Sequence, residues 1–240
     1  MSSSAGLRRF VSGPPPAAQA GAAQSQRRAE PQRPEDSLAD AQRAPEPEKC
    51  ELCATEISAE HGHLADLDNA SLLCACRACY LLFTQRDAIR GRYRAVPDRI
   101  LTDPEHPLTA GDWDELQIPV GLAFFLRSSR ADMVSGFYPS PAGATECQLD
   151  LAAWERLTAA HPLLATAEPD VEAVLITRTG QESAVSAAES FVVPIDACYE
   201  LAGRMRLHWR GFDGGAEARQ AITEFLDTVR RRAVPVDQET

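Results

Sequence analysis

The sequence predicts an α+β protein in three parts: a disordered tail, a small four-cysteine module, and an α+β domain with a mixed or antiparallel sheet and C-terminal helices. Three observations predict this. Five of the seven cysteines crowd between Cys50 and Cys79. Beyond residue 101, apolar runs of strand length are interleaved with apolar stripes of helical period. Residues 1–48 carry Pro14-Pro15-Pro16, scattered Ala, Gln and Ser, and mixed charge, a composition that buries too little apolar surface to offset the entropy of ordering.

The chain has 240 residues, 44% of them hydrophobic, which is enough to bury a core without disulfides. The tail through Lys49 holds seven basic and six acidic residues. The remaining 17 basic and 29 acidic residues therefore give the folded part all of the chain's acidity. That balance excludes a general coat for nucleic acid or anionic membrane. No stretch approaches eighteen apolar residues, so no transmembrane helix is expected. Arg8-Arg9-Phe10-Val11 has the look of a twin-arginine signal. Gly13-Pro14-Pro15-Pro16 follows where an export signal needs an apolar run, so a cytoplasmic protein is expected. Leu7 to Val11 is then either chance composition or a short docking peptide.

Residues 49–100 form the cysteine module. His61 to Leu67 is compatible with a strand, Asp68-Asn69 with a turn, and Ser71-Leu72-Leu73 with a return strand into Cys74. Tyr80-Leu81-Leu82-Phe83 opens a short helix, which Arg90-Gly91 stops. Residues 101–233 form the α+β domain. Thr109 caps a helix over Trp113 and Leu116 that Pro119 ends. Val120–Leu126 and Met133–Tyr138 read as strands, and Pro139 to Gly143 as a turn. Asp150 caps a helix with Leu151, Trp154 and Leu157 on one face. Val171–Thr177 and Phe191–Val193 are further strands. Asp196 caps a helix carrying Cys198, Leu201, Ala202, Met205 and Trp209. After Gly211 to Gly215, where Asp213 is a second cap, a last helix aligns Ile222, Phe225, Leu226 and Val229. Residues 234–240 read as a flexible C-terminus.

The sharpest chemical signal is Cys50-x2-Cys53 followed 22 residues later by Cys76-x2-Cys79. Each pair can form a knuckle aiming two sulfurs at one point. A hairpin that joins two knuckles makes a tetrahedral four-sulfur site of the zinc-ribbon kind. An odd number of clustered cysteines does not fit a disulfide scaffold. Zinc is the expected ion. Iron is the alternative that the same geometry permits, although the Cys-Pro-x-Cys-Gly knuckle of rubredoxins is missing. Cys74, His61 and His63 are alternates. Cys74 could exchange with Cys76, sit beside the site as a redox-sensitive thiol, or be a small packed residue. Alternation places both histidines on one strand face. Four thiolates leave no open coordination position and hence no activated water, so the module reads as structural and the protein as non-enzymatic.

Other features are weaker. Arg86, Arg90, Arg92, Arg94 and Arg99, with Tyr93 among them, are either a nucleic-acid footprint or an intramolecular partner of the acidic domain. The Gly211–Gly215 loop matches neither the Walker nor the dinucleotide pattern. His106, His161 and His208 are isolated, and Cys147 and Cys198 have no neighbouring histidine. No serine-hydrolase, zincin or kinase motif is present.

The residues resemble a known family. The resemblance runs through Cys50-Glu51-Leu52-Cys53, His61-Gly62-His63-Leu64 and Leu73-Cys74-Ala75-Cys76-Arg77-Ala78-Cys79-Tyr80-Leu81-Leu82-Phe83. It continues through Arg92 to Pro97, Ile118 to Phe125, Tyr138 to Glu146, Val193-Pro194-Ile195-Asp196 and Trp209 to Phe212. The family is an uncharacterised actinobacterial domain of unknown function whose members are encoded beside nickel–iron uptake hydrogenases and their maturation factors. The resemblance implies an accessory role in hydrogenase assembly or electron transfer, with a hydrogenase subunit or maturation factor as partner. It transfers only the cysteines, as metal ligands.

Overall fold

A computed structural model of the chain describes residues 47–84, 91–147, 149–178, 188–211 and 213–238. The expected tail up to residue 46, its Leu7–Val11 segment, and Arg86, Arg90 and Phe212 lie outside the described residues. Among the described residues, no helix is long and apolar enough to cross a membrane.

The cysteine module is a three-stranded antiparallel sheet in the order β2-β1-β3. β1 (Gly62–Asp66) and β2 (Ser71–Ala75) make the expected hairpin, and β3 (Tyr93–Ala95) adds to the far side of β1. Asp66 sets the turn. Its buried carboxylate accepts from the Asp68 and Asn69 backbone N–H groups and from Asn69 Nδ2, then receives Arg92 Nη2 at 2.8 Å. Gly62 is required by close packing, because a Cβ there would lie 2.5 Å from Cδ2 of the Tyr80 ring. Helix α1 spans Arg77–Leu82. It was expected to start at Tyr80 and run to Arg90. Instead it begins three residues earlier, because Cys76 takes the cap position in extended conformation with its sulfur accepting from Cys79 N.

The second sheet has seven strands: β4 (Leu101–Thr102), β5 (Leu122–Ser128), β6 (Met133–Ser140), β7 (Gly143–Cys147), β8 (Glu172–Arg178), β9 (Ala188–Pro194) and β10 (Val234–Pro235). Their order is β10-β4-β9-β8-β5-β6-β7. All pairs are antiparallel except β10 with β4. Val234–Pro235 therefore extend the sheet, although they were expected to belong to a flexible end. The turn expected over Pro139–Gly143 shrinks to two residues, since Pro139 and Ser140 close β6 and Gly143 opens β7.

Helices cover both faces of the sheet. On one face Phe124, Leu175, Phe137, Phe191 and Val193 pack against α5 (Ile195–His208) and α6 (Gly215–Arg232) through Leu201, Met205, Phe225 and Val229. On the other, Ala123, Phe125, Val174 and Ile176 meet Trp113 of α2 (Ala110–Glu115), Leu157 of α3 (Leu151–Ala160) and Leu164 of α4 (Pro162–Ala165). Burial on both sides is why β5 and β8 read as unbroken apolar runs without alternation. Thr109 and Asp150 cap α2 and α3 as expected, Thr109 within a reciprocal box with Asp112. Leu151 was expected on the apolar face of α3 but is exposed, being the first helical residue. Asp196 is not the cap of α5. Pro194 occupies that position, and the Asp196 carboxylate turns to His63. Gly214, with a positive φ, caps α6 in place of Asp213, whose carboxylate accepts from Gly215 N and Arg219.

The module is seated on this sheet. Ala65 and Val96 pack with Val171, flanked by Leu67, Leu72 and Ile195. Ion pairs rim that patch, Arg94 to Glu168 at 2.8 Å, Arg99 to the buried Glu172 at 2.6 Å and Arg130 to Asp68 at 2.7 Å, together with a hydrogen bond between His63 Nδ1 and Asp196 Oδ2 at 2.8 Å. Arg232 also reaches Asp98.

Candidate metal centre

Two local structures aim four sulfurs at one point. In the first, Cys50 N donates to Thr55 O and Ala54 N to Cys50 O, both at 2.8 Å, and Ala54 takes a left-handed φ of 61°. This tight loop carries Cys50 inward and leaves Cys53 exposed. In the second, β2 ends at Ala75, and the chain turns at Cys76 directly into α1. Cys79 then lies in the first helical turn, and its N–H donates to Cys76 Sγ at 3.5 Å. The hairpin joins the two loops, with Glu51 N bonded to Cys74 O at 2.9 Å.

The sulfurs of Cys50, Cys53, Cys76 and Cys79 all lie within 4.8 Å of one another. Cys53 Sγ and Cys76 Sγ are 3.7 Å apart. A tetrahedron with metal–sulfur bonds of about 2.3 Å has edges of about 3.8 Å, so the spacing fits a divalent ion and not a disulfide. All seven cysteines are free. Proton affinities diverge within the set. Burial pushes the Cys50 thiol up, but backbone N–H groups of Cys76, Leu52 and Cys53 outweigh it and hold the thiol at about 6. The Thr55 hydroxyl and N–H lower Cys53. Burial, reinforced by the neighbouring cysteines, raises Cys79 to about 12. The loop thus favours thiolates on one side while their charge opposes ionisation on the other, an opposition that a bound cation relieves.

The alternates separate spatially. Cys76 belongs to the sulfur cluster, whereas Cys74 stands opposite His63 across the β1–β2 ladder. Cys74, His61 and His63 form a group of their own. The residues that sequence reasoning missed are Asp196, which holds His63, and Glu51, whose carboxylate accepts from Cys74 N at 2.6 Å. No local signal joins Asp196 to a residue so distant in the chain.

The family of unknown function DUF5947 matches residues 49–233. The chain belongs to this family. The DUF5947 match begins one residue before Cys50 and ends at the residue after α6, so it takes in the cysteine module and the helix-covered sheet together. No curated protein and no solved structure matches the chain.

The remaining candidates have structural settings. Arg92, Arg94 and Arg99 all engage carboxylates of the same chain. His161 is buried, with Nδ1 donating to His106 O and Nε2 3.3 Å from Asp112 Oδ2. His106 Nδ1 contacts Asp103. Burial raises the Cys147 and Cys198 thiols, away from the thiolate form that acts as nucleophile.

Proposed function

We propose that the protein is a non-enzymatic accessory protein in which a structural zinc ion, bound by Cys50, Cys53, Cys76 and Cys79, holds the module in shape for docking to a protein partner. The observation that carries this reading is the four-sulfur cluster with its 3.7 Å edge. Four thiolates complete a tetrahedral shell and leave no site for substrate. Support for docking comes from Leu52, Leu81 and Leu82, three exposed large apolar side chains on the knuckle loop and on α1. Isolated exposed leucines are ordinary, but three on one small module suit a partner surface.

The resemblance in gene company extends the proposal to a nickel–iron hydrogenase subunit or maturation factor as the partner, in a cytoplasmic setting. The test has two parts. Metal analysis of purified protein should find zinc, with a colourless preparation, whereas visible thiolate-to-iron absorbance would transfer the site to electron transfer. Affinity capture of metal-replete protein from a hydrogenase-producing strain should recover a hydrogenase component. Recovery of none removes the hydrogenase assignment and leaves the zinc assignment standing.

A further inference from the structure

We infer that His61, His63 and Cys74 form a second metal site, distinct from the four sulfurs, that takes a zinc ion with one coordination position left open. One ring nitrogen of each histidine and the Cys74 sulfur lie within 4.8 Å of one another. His63 and Cys74 are paired across the β1–β2 ladder, so their side chains leave the same sheet face. His61 precedes β1 by one residue and its ring centroid is 4.8 Å from that of His63.

The hydrogen bonds fix which nitrogens are available. His61 Nδ1 is 2.9 Å from Ser58 O. A carbonyl only accepts, so Nδ1 carries the proton. His63 Nδ1 is 2.8 Å from Asp196 Oδ2, and an ionised carboxylate also only accepts. In each neutral imidazole the lone pair is therefore left on Nε2. Metal-binding histidines are held in this way, with one nitrogen anchored to a carbonyl or carboxylate and the other turned to the ion. A second, independent observation points to the same place. The His61 side chain is 9% exposed. Among the described residues, its Nε2 is the one buried side-chain nitrogen or oxygen without a hydrogen-bond partner. A buried polar atom of this kind calls for an unplaced water or ion, and here a histidine and a thiol stand beside it.

Two imidazoles and one thiolate make a ligand set of zinc type with three protein ligands, and the fourth tetrahedral position then falls to water or an outside ligand. Asp196 comes from the first turn of α5. It is a positioning residue, and through it the second ion would tie the module to the large domain.

The test uses full-length protein stripped by chelator, reloaded with Zn2+ and dialysed. Wild type should retain two ions per chain. Its X-ray absorption should show zinc–nitrogen bonds of about 2.0–2.1 Å beside zinc–sulfur bonds of about 2.3 Å. His61→Ala and Cys74→Ser should each retain one ion with an all-sulfur shell. Asp196→Asn, outside the module, should weaken the second ion by about 10- to 100-fold while far-UV dichroism stays unchanged. One all-sulfur ion in wild type, unaltered by these substitutions, would overturn the second site and leave the four-thiolate reading intact. Cys53→Ser tests that reading separately: it should lose the sulfur-bound ion and, as the hairpin that carries His63 and Cys74 opens, the nitrogen-bound one as well, whereas His61→Ala removes the nitrogen-bound ion alone.

Discussion

Arg99 lies in the connection between β3 and β4, where the chain passes from one sheet to the other. Its Nε reaches Glu172 Oε1 at 2.6 Å and its Nη2 reaches Oε2 at 3.0 Å. The Glu172 side chain is fully buried, and Arg99 is 30% exposed. Removing one partner of such a pair strands a charge, at about 3–5 kcal/mol. Arg99→Met should fall at the lower end. Water reaches the arginine side, and Glu172 keeps the Glu168 N–H at 2.8 Å. With a urea slope of about 2 kcal/mol per M, a loss of about 3 kcal/mol lowers the unfolding midpoint by about 1.5 M. The assay is equilibrium unfolding followed by fluorescence of Trp113, Trp154 and Trp209, all in the large domain. The double variant Arg99→Met/Glu172→Leu should recover most of the loss, since a buried pair exchanged for apolar side chains is often neutral. Equal midpoints for wild type and Arg99→Met would refute the reasoning, as would a double variant that adds the two single losses.

Four further outcomes follow from the same structure. Chelation of the proposed zinc should abolish amide-exchange protection in Gly62–Asp66 and Ser71–Ala75 while tryptophan fluorescence persists. An ion worth about 10–16 kcal/mol dominates a module in whose core, among the described residues, Leu64 and Phe83 are the large buried side chains. Gly62→Ala should cost about 1–3 kcal/mol in thermal unfolding, because the new methyl displaces the Tyr80 ring and strains its hydroxyl bond to Val96 O. Phe137→Ala should cost about 3–5 kcal/mol, since that ring stacks on Phe124 in the core at 5.4 Å. Asp66 gives a pH dependence of known sign. The Arg92 hydrogen bond, against burial and aided by Asn69 and the Asp68 N–H, holds its carboxyl below the ordinary 3.8. A folded-state value that is depressed stabilises fully above 3.8 and is lost as pH falls below it. Melting temperatures of wild type and Asp66→Asn should therefore converge in acid and differ at neutral pH.

Most elements with caps or long apolar runs were legible in the sequence. Thr109, Asp150 and the run around Phe124 announce α2, α3 and β5 by local chemistry alone. What escaped was short or remote. β4 and β10 have two residues each, and they pair residues more than a hundred positions apart, with no periodicity to mark them. Asp196 has the look of a cap, but the helix already begins at Ile195 with Pro194 at the cap position and no side-chain cap bond, so Asp196 lies inside the first turn and its carboxylate goes to His63. The role of Cys74 stayed open because it lies two residues before Cys76, and a strand carried through both would put them on one face. The strand ends at Ala75, and Cys76 leaves it to cap a helix. One signal was present and unread. Reflecting the hairpin about Asp68-Asn69 pairs His63 with Cys74, which is the register observed.

The arginine strip bears on how the module meets a partner. Arg92, Arg94 and Arg99 are bound to carboxylates that are wholly or mostly buried: Asp66, Asp170 and Glu172. The Arg94 and Arg99 pairs fasten the module to the large domain, the Arg92 pair braces the module's own turn, and all three leave less positive field for phosphates. A nucleic-acid interface would need those guanidinium groups back, at the cost of stranding the acids beneath them. The exposed leucines of the loop and α1 carry no such cost. Contact through them buries apolar surface, whose attraction is insensitive to moderate salt, whereas phosphate binding weakens steeply as salt rises. Binding that survives a salt titration and fails in Leu81→Ser/Leu82→Ser therefore assigns the partner to the leucines. Binding that collapses with salt and with Arg92→Ala reassigns it to the strip.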